Sequence, residues 1–241
     1  MRQHHLQLLY DVSLAEPGPG DWAIPKACES KVLMANRRQG VFFDRDGVLN
    51  ELVWNPTTAA YESPHVVSDL HLCADVLLPL RQLYEQGFDL FIVSNQPSYA
   101  KGKTSLEAIQ SIAQAFEDQF RREGVIFRHS YYCYHHQQGI VPKYSGPCVC
   151  RKPEPYFLLV AAKCYGIDLK QSWMIGDRTS DVECGQRAGC RTILIGHAHL
   201  SPDAGASKPD YIVEDVAAAA AVILREAGRL AIKRGNDDVA H

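Results

Sequence analysis

Two aspartates one residue apart, Asp44 and Asp46, follow the apolar run Val41-Phe42-Phe43 and precede Gly47. A strand that ends in a turn can project both carboxylates beyond the edge of a sheet, where open α/β folds build their sites. Carboxylates brought together repel, share a proton or hold a cation. A second apolar run, FDLFIVSN, ends in Ser94 and Asn95 with Gln96 next, and a third, SWMIGD, ends in Asp177 with Arg178 and Asp181 following. Arg151 and Lys152 stand before Pro153, a residue suited to the first turn of a helix. Carboxylates for a hard cation beside hydroxyl, amide and ammonium donors suit a phosphate group bridged to Mg²⁺.

A second constellation lies in YYCYHHQQGIVPKYSGPCVCRKP, residues 131–153. Cys133, His135 or His136, Cys148 and Cys150 form a four-ligand set of thiolate and imidazole, the tetrahedral preference of Zn²⁺. With no open position such a site is structural. Spacing alone does not choose between the two histidines. The other five cysteines are scattered, which argues for reduced, packed thiols rather than a disulfide framework. His197 and His199 read as an ordinary loop pair.

These groups need a scaffold. Strand patterns at 41–44, 88–94, 128–133, 172–176, 191–195 and 210–213 alternate with helical patterns at about 73–86, 104–123, 154–165, 179–188 and 215–229. That alternation predicts a parallel sheet with right-handed crossovers and helices on both faces: a three-layer α/β/α, Rossmann-like fold. Strand 41–43 is apolar on both sides because both faces are covered. Residues 1–38 read as an N-terminal extension with a short strand at His5–Tyr10, 39–230 as the domain, and 231–241 as a polar, frayed tail. A chain of 241 residues, 46% hydrophobic, can bury one large core. A net charge of −3 and a pI near 6.4 give no electrostatic commitment to nucleic acid or an anionic membrane. No apolar run reaches the roughly 20 residues of a membrane span, and no signal peptide is evident at the N-terminus. A cytoplasmic monomer is expected.

The order D-x-D-G, S-N, R-K-P, G-D-x-x-x-D resembles the four motifs of haloacid dehalogenase-like phosphatases across about residues 40–228. The resemblance implies that Asp44 is the nucleophile forming an aspartyl-phosphate and Asp46 the group that protonates the leaving alcohol and later activates water. It further implies that Ser94 and Lys152 hold the phosphoryl oxygens with help from Asn95. Mg²⁺ would sit on Asp44, Asp177 and the Asp46 carbonyl, with Asp181 in support. Asp46 as an acid needs a raised pKa, which a neighbouring phosphate or carboxylate supplies.

A C-x-H…C-x-C-R-K-P segment between the second and third motifs is similar to that of the heptose bisphosphate and histidinol-phosphate phosphatases, which are capless and carry a zinc loop. That resemblance implies His135 as the fourth zinc ligand. The twelve residues between His135 and Cys148 match the longer loop of the heptose enzymes, so a heptose 1,7-bisphosphate is the expected substrate, losing its C7 phosphate. Histidinol phosphate is the runner-up, and a catalytically silent, zinc-stabilised binding protein is the reading of another class. Arg151 would meet a second phosphate or the sugar. Two segments depart from the pattern: 51–72, with Trp54, Asn55 and Tyr61, and Pro97-Ser98-Tyr99-Ala100-Lys101-Gly102 where S-G-I-A-R-G is usual. Proline removes an amide donor, and lysine lacks the arginine fork.

Overall fold

The computed structural model describes residues 38–196 and 207–237, with side chains to 229. The expected strand at His5–Tyr10, the rest of the extension before Arg38, Cys28 and the pair His197/His199 lie outside the described residues. Six strands form one parallel sheet: β1 (Gly40–Phe43), β4 (Asp89–Asn95), β5 (His129–Cys133), β6 (Trp173–Gly176), β7 (Arg191–Ile195) and β8 (Tyr211–Val213). Their order is β5-β4-β1-β6-β7-β8. β1 lies at the centre, between strands reached by crossovers in opposite directions, so the crevice past its carboxyl end is the switch point of the sheet.

Alternation along each strand feeds two cores. Val41, Phe43, Leu90, Ile92 and Ile175 face one cluster; Phe42, Phe91, Val93 and Met174 face the other. Parallel register sets Phe42 beside Phe91, with ring centroids 4.8 Å apart. The first core takes in α1 (Leu77–Glu85), α2 (Leu106–Arg122) and α5 (Val216–Asp237); the second takes in α3 (Tyr156–Tyr165) and α4 (Thr179–Ala188). In α2, Ile109, Ile112, Ala113, Phe116 and Phe120 recur at helical spacing and are buried. Ser105 caps that helix by accepting from Ala108 N at 3.1 Å.

The three-layer expectation is met. α5 continues to Asp237, eight residues past its expected end at 229. α3 begins at Tyr156, so Pro153, joined to Lys152 by a cis peptide, precedes the helix rather than opening it. Residues 51–72, expected as a loop, contain an antiparallel hairpin, β2 (Val53–Asn55) and β3 (Ala60–Glu62). Cys73, Cys133, Cys148, Cys150, Cys184 and Cys190 are free thiols. Cys164 is disulfide-bonded, against the expectation of reduced thiols throughout. Among the described residues no helix is long and apolar enough to cross a membrane.

Candidate active site

β1 ends at Phe43, and Asp44 N still donates to Ile175 O of β6 at 2.9 Å, which anchors the first carboxylate at the sheet edge. The chain then turns tightly: Leu49 N and Asn50 N donate to Arg45 O at 2.8 and 3.1 Å, and Gly47 adopts φ +85°. A side chain at Gly47 would be strained in that conformation, and its Cβ would also stand 2.5 Å from Asp177 Oδ2. Glycine lets the turn lie against the carboxylate that β6 delivers.

Asp44, Asp177 and Asp181 are all buried and can bring one oxygen each within 4.8 Å of one another. Lys152 Nζ joins them, 3.0 Å from Asp44 Oδ1 and 2.6 Å from Asp181 Oδ1, while donating to Val93 O at 2.7 Å. Burial by itself would lower the pKa of Lys152, but the carboxylates of Asp181 and Asp44 hold it above its ordinary value. Asp181 also accepts from Arg178 N at 3.1 Å, so it is already engaged by two donors. Asp177 is different: neither of its buried oxygens has a hydrogen-bond partner. Desolvation and the charges of Asp44 and Asp181 push its pKa up to about 7. Orphaned carboxylate oxygens facing a second carboxylate are the donor set of a hard divalent cation.

Asp46 sits among donors. Burial would raise its pKa, but the Arg45 guanidinium and hydrogen bonds from Gln96, Asn50 and Ser63 hold it below the usual value. Without substrate it is therefore a carboxylate. Asn95 Oδ1 accepts from Lys152 N and its Nδ2 donates to Lys152 O, both at 3.1 Å. It fixes the backbone that carries Lys152. Ser94 is buried at the end of β4 and accepts from Gln96 Nε2 at 3.1 Å.

The cysteine loop closes as a tetrahedron. Sγ of Cys133, Cys148 and Cys150 are 3.4–3.7 Å apart, and His135 Nδ1 lies 3.8 Å from both Cys133 and Cys150. Four ligands about 2.3 Å from a central zinc would stand about 3.8 Å from one another. These four residues could hold a metal. His136, the alternative, instead accepts from Gln138 N at 3.1 Å. Arg151 donates to His135 O at 3.1 Å, tying this loop to the Lys152 segment.

Three rim segments are stitched together around this centre. Ile140 N and Val141 N donate to Ala100 O at 2.7 and 3.3 Å, and Tyr99 meets Tyr144 edge to face at 5.4 Å. Lys103 pairs with Glu62 of the hairpin, and His65 Nε2 lies 3.2 Å from Ser98 Oγ. Trp54 and Tyr61 pair across the hairpin at 5.2 Å, and both are more than half or nearly half exposed.

A family profile described as HAD-hydrolase-like matches residues 149–219. The D-glycero-alpha-D-manno-heptose-1,7-bisphosphate 7-phosphatase of Photorhabdus laumondii is 32% identical over 170 residues, 69% of this chain and 88% of that protein. The D-glycero-D-manno-heptose-1,7-bisphosphate 7-phosphatase of Thermosynechococcus vestitus is 33% identical over 191 residues, 76% of this chain and 93% of that protein. Among solved structures, D,D-heptose 1,7-bisphosphate phosphatase from B. bronchiseptica, complexed with magnesium and phosphate, superposes with a TM-score of 0.65 at 22% identity, covering 78% of this chain and 99% of that one. With four motifs meeting at one sheet edge and relatives matched over most of their length, the chain belongs to the heptose-bisphosphate phosphatase family of haloacid dehalogenase-like hydrolases.

Proposed function

We propose that this phosphatase hydrolyses a phosphomonoester through an aspartyl-phosphate on Asp44, with a heptose 1,7-bisphosphate as substrate and its 7-phosphate removed. The observation that carries the chemistry is the pair of Asp177 oxygens without a hydrogen bond, Oδ1 having only Arg178 Nε at 3.9 Å, set beside Asp44 and a charged Lys152. The related phosphatases, aligned over 88–93% of their own length, support the substrate.

Asp44 and Asp177, with the Asp46 carbonyl, would hold Mg²⁺. When bound, it supplies the positive charge that lets an anionic ester approach an anionic nucleophile. Lys152 and Ser94 hold the phosphoryl oxygens. An oxygen of Asp44 attacks phosphorus as the bond to the leaving alcohol breaks, and Asp46 hands that alcohol a proton. A dianion entering beside Asp46 raises its pKa and brings it to this task. Water then attacks the acyl-phosphate, giving its proton back to Asp46 and releasing Asp44.

We assign Zn²⁺ to Cys133, His135, Cys148 and Cys150 as a structural ion in a capless domain spanning 39–230, with 1–38 and 231–241 as appendages. Six free thiols among the described cysteines favour a reducing compartment, and the disulfide-bonded Cys164 is the one described cysteine that speaks against it. The test is phosphate release with Mg²⁺ from a panel of sugar bisphosphates, sugar monophosphates and histidinol phosphate, with Asp44→Asn alongside. Equal release by the variant would remove the nucleophile from Asp44; preference for histidinol phosphate would overturn the sugar.

A further inference from the structure

Arg45 heads the largest side chains with no solvent exposure in the described chain, and it lies between the two catalytic aspartates. A guanidinium removed from water is tolerated only when paired. Its partner is a single carboxylate. Nε donates to Asp46 Oδ1 at 3.1 Å, and Nη2 reaches Oδ1 at 2.9 Å and Oδ2 at 3.2 Å. This is the planar fork that arginine offers and lysine does not. The third nitrogen, Nη1, has no hydrogen-bond partner, while the guanidinium carbon stands 5.7 Å from the centroid of the Tyr132 ring.

Tyr132 is a fixed seat. It pairs with Ser94 in the β4–β5 register, so the ring belongs to the sheet rather than to a loop. Arg45 is thus placed by a rigid strand on one side and directed to Asp46 on the other. Asn50 Nδ2 and Gln96 Nε2 join the cradle at 3.0 and 2.5 Å, with Ser63 a further donor. The Arg45 backbone N donates to Asp44 Oδ1 at 2.7 Å, but the hydrogen bonds of its side chain go to the Asp46 carboxylate alone.

We propose that Arg45, seated on Tyr132, is a positioning residue that holds the Asp46 carboxyl in the orientation needed to meet the leaving-group oxygen. The assignment rests on the phosphatase reading above. An acid that must give up a proton and then recover one from water has to stand in the same place for both half-reactions. A short side chain on a turn does so only if something fixes its plane.

The consequence is selective. A sugar alkoxide leaves only with a proton, whereas p-nitrophenolate leaves without one. Loss of Arg45 should therefore slow alkyl esters and spare the first step with p-nitrophenyl phosphate, in which the Asp44–phosphorus bond forms and the free phenolate departs.

Wild type, Arg45→Met, Arg45→Lys, Tyr132→Leu, Asp46→Asn and the Asp46→Asn/Arg45→Met double variant are compared with Mg²⁺. Stopped-flow release from p-nitrophenyl phosphate is set against steady-state turnover of heptose 1,7-bisphosphate. For Arg45→Met we expect kcat on the sugar ester to fall about 100-fold or more, within the range of general acid catalysis. KM and the p-nitrophenolate burst rate should change by less than about threefold, and the double variant should be no slower than Asp46→Asn, as residues acting as one unit require. Tyr132→Leu, which keeps the charge, carries the same test should Arg45→Met not fold, with a smaller loss of the same selectivity. A burst slowed as much as sugar turnover, or losses that multiply in the double variant, would overturn the proposal. A wild type inert on both esters would instead sink the phosphatase reading itself.

Discussion

Lys152 Nζ sits between two buried carboxylates, 3.0 Å from Asp44 and 2.6 Å from Asp181. The ammonium holds its charge because these partners outweigh its desolvation, and the acids tolerate one another because the ammonium lies between them. Lys152→Met should cost activity by about 10²–10³-fold, the scale of losing one donor to a developing charge. It should also destabilise the metal-free protein by about 3–5 kcal/mol, the cost of removing one partner from a buried charged pair. Mg²⁺ should restore part of that loss. Thermal unfolding with and without Mg²⁺ decides; equal melting temperatures for variant and wild type without metal would contradict the arrangement.

Asp177 predicts a pH dependence of metal uptake. Its metal-free pKa is raised to about 7, so protons compete with the cation below that pH and not above it. The Mg²⁺ concentration giving half-maximal activity should rise up to about tenfold per pH unit on acidification below 7, and level off above about pH 8. Asp177→Asn should bind no Mg²⁺ in the millimolar range. A half-saturation point that does not move between pH 6 and 8 would count against Asp177 as a ligand.

Elemental analysis tests the cysteine loop. We expect about one zinc per chain, lost in His135→Ala and Cys148→Ser but retained in His136→Ala, whose ring nitrogen already serves the loop backbone. Loss of the metal should cost about 4 kcal/mol, which lowers the melting temperature by about 10 °C for a domain of this size. Unaltered melting in Cys148→Ser would remove the structural role.

The Glu62–Lys103 pair joins the hairpin to the segment after β4, and Lys103 pulls the Glu62 pKa down to about 2. A depressed carboxylate contributes stability above its unfolded pKa of about 4.5 and loses it as pH falls through that value toward 2. Glu62→Gln should therefore be less stable than wild type at pH 7, by about 1 kcal/mol for so solvent-accessible a pair. The gap should close by about pH 2. A gap that persists in acid would assign the effect to packing instead.

Much of this was legible from the chain. Asp44 and Asp177 were readable because each follows an apolar run, and a parallel sheet delivers such ends to one edge; Lys152 was readable from the R-K-P motif, although the helix it was expected to open starts at Tyr156. The burial of 41–43 on both faces was equally plain, because full apolarity has meaning only when both faces are covered. The hairpin at 53–62 was not, since its strands are three residues long and leave Trp54 and Tyr61 in solvent. That Asn95 would assist by holding the Lys152 backbone was not legible, because its partner is 57 positions away in sequence. Arg45 showed no signal: only the fold-back of the turn shows that the residue between two aspartates is buried on Tyr132. Gln96 was visible at the end of the same run, but not its bond to Asp46, which lies 50 positions away in sequence. His135 over His136 needed coordinates or kinship.

The sutures among the hairpin, the segment 97–104 and the cysteine loop mean that the mouth of this enzyme is one casting. Selectivity is then not modular. Grafting residues 134–152 from a relative would sever the bonds to Ala100 and leave Tyr99 without Tyr144, so a transplanted wall must bring its neighbours with it.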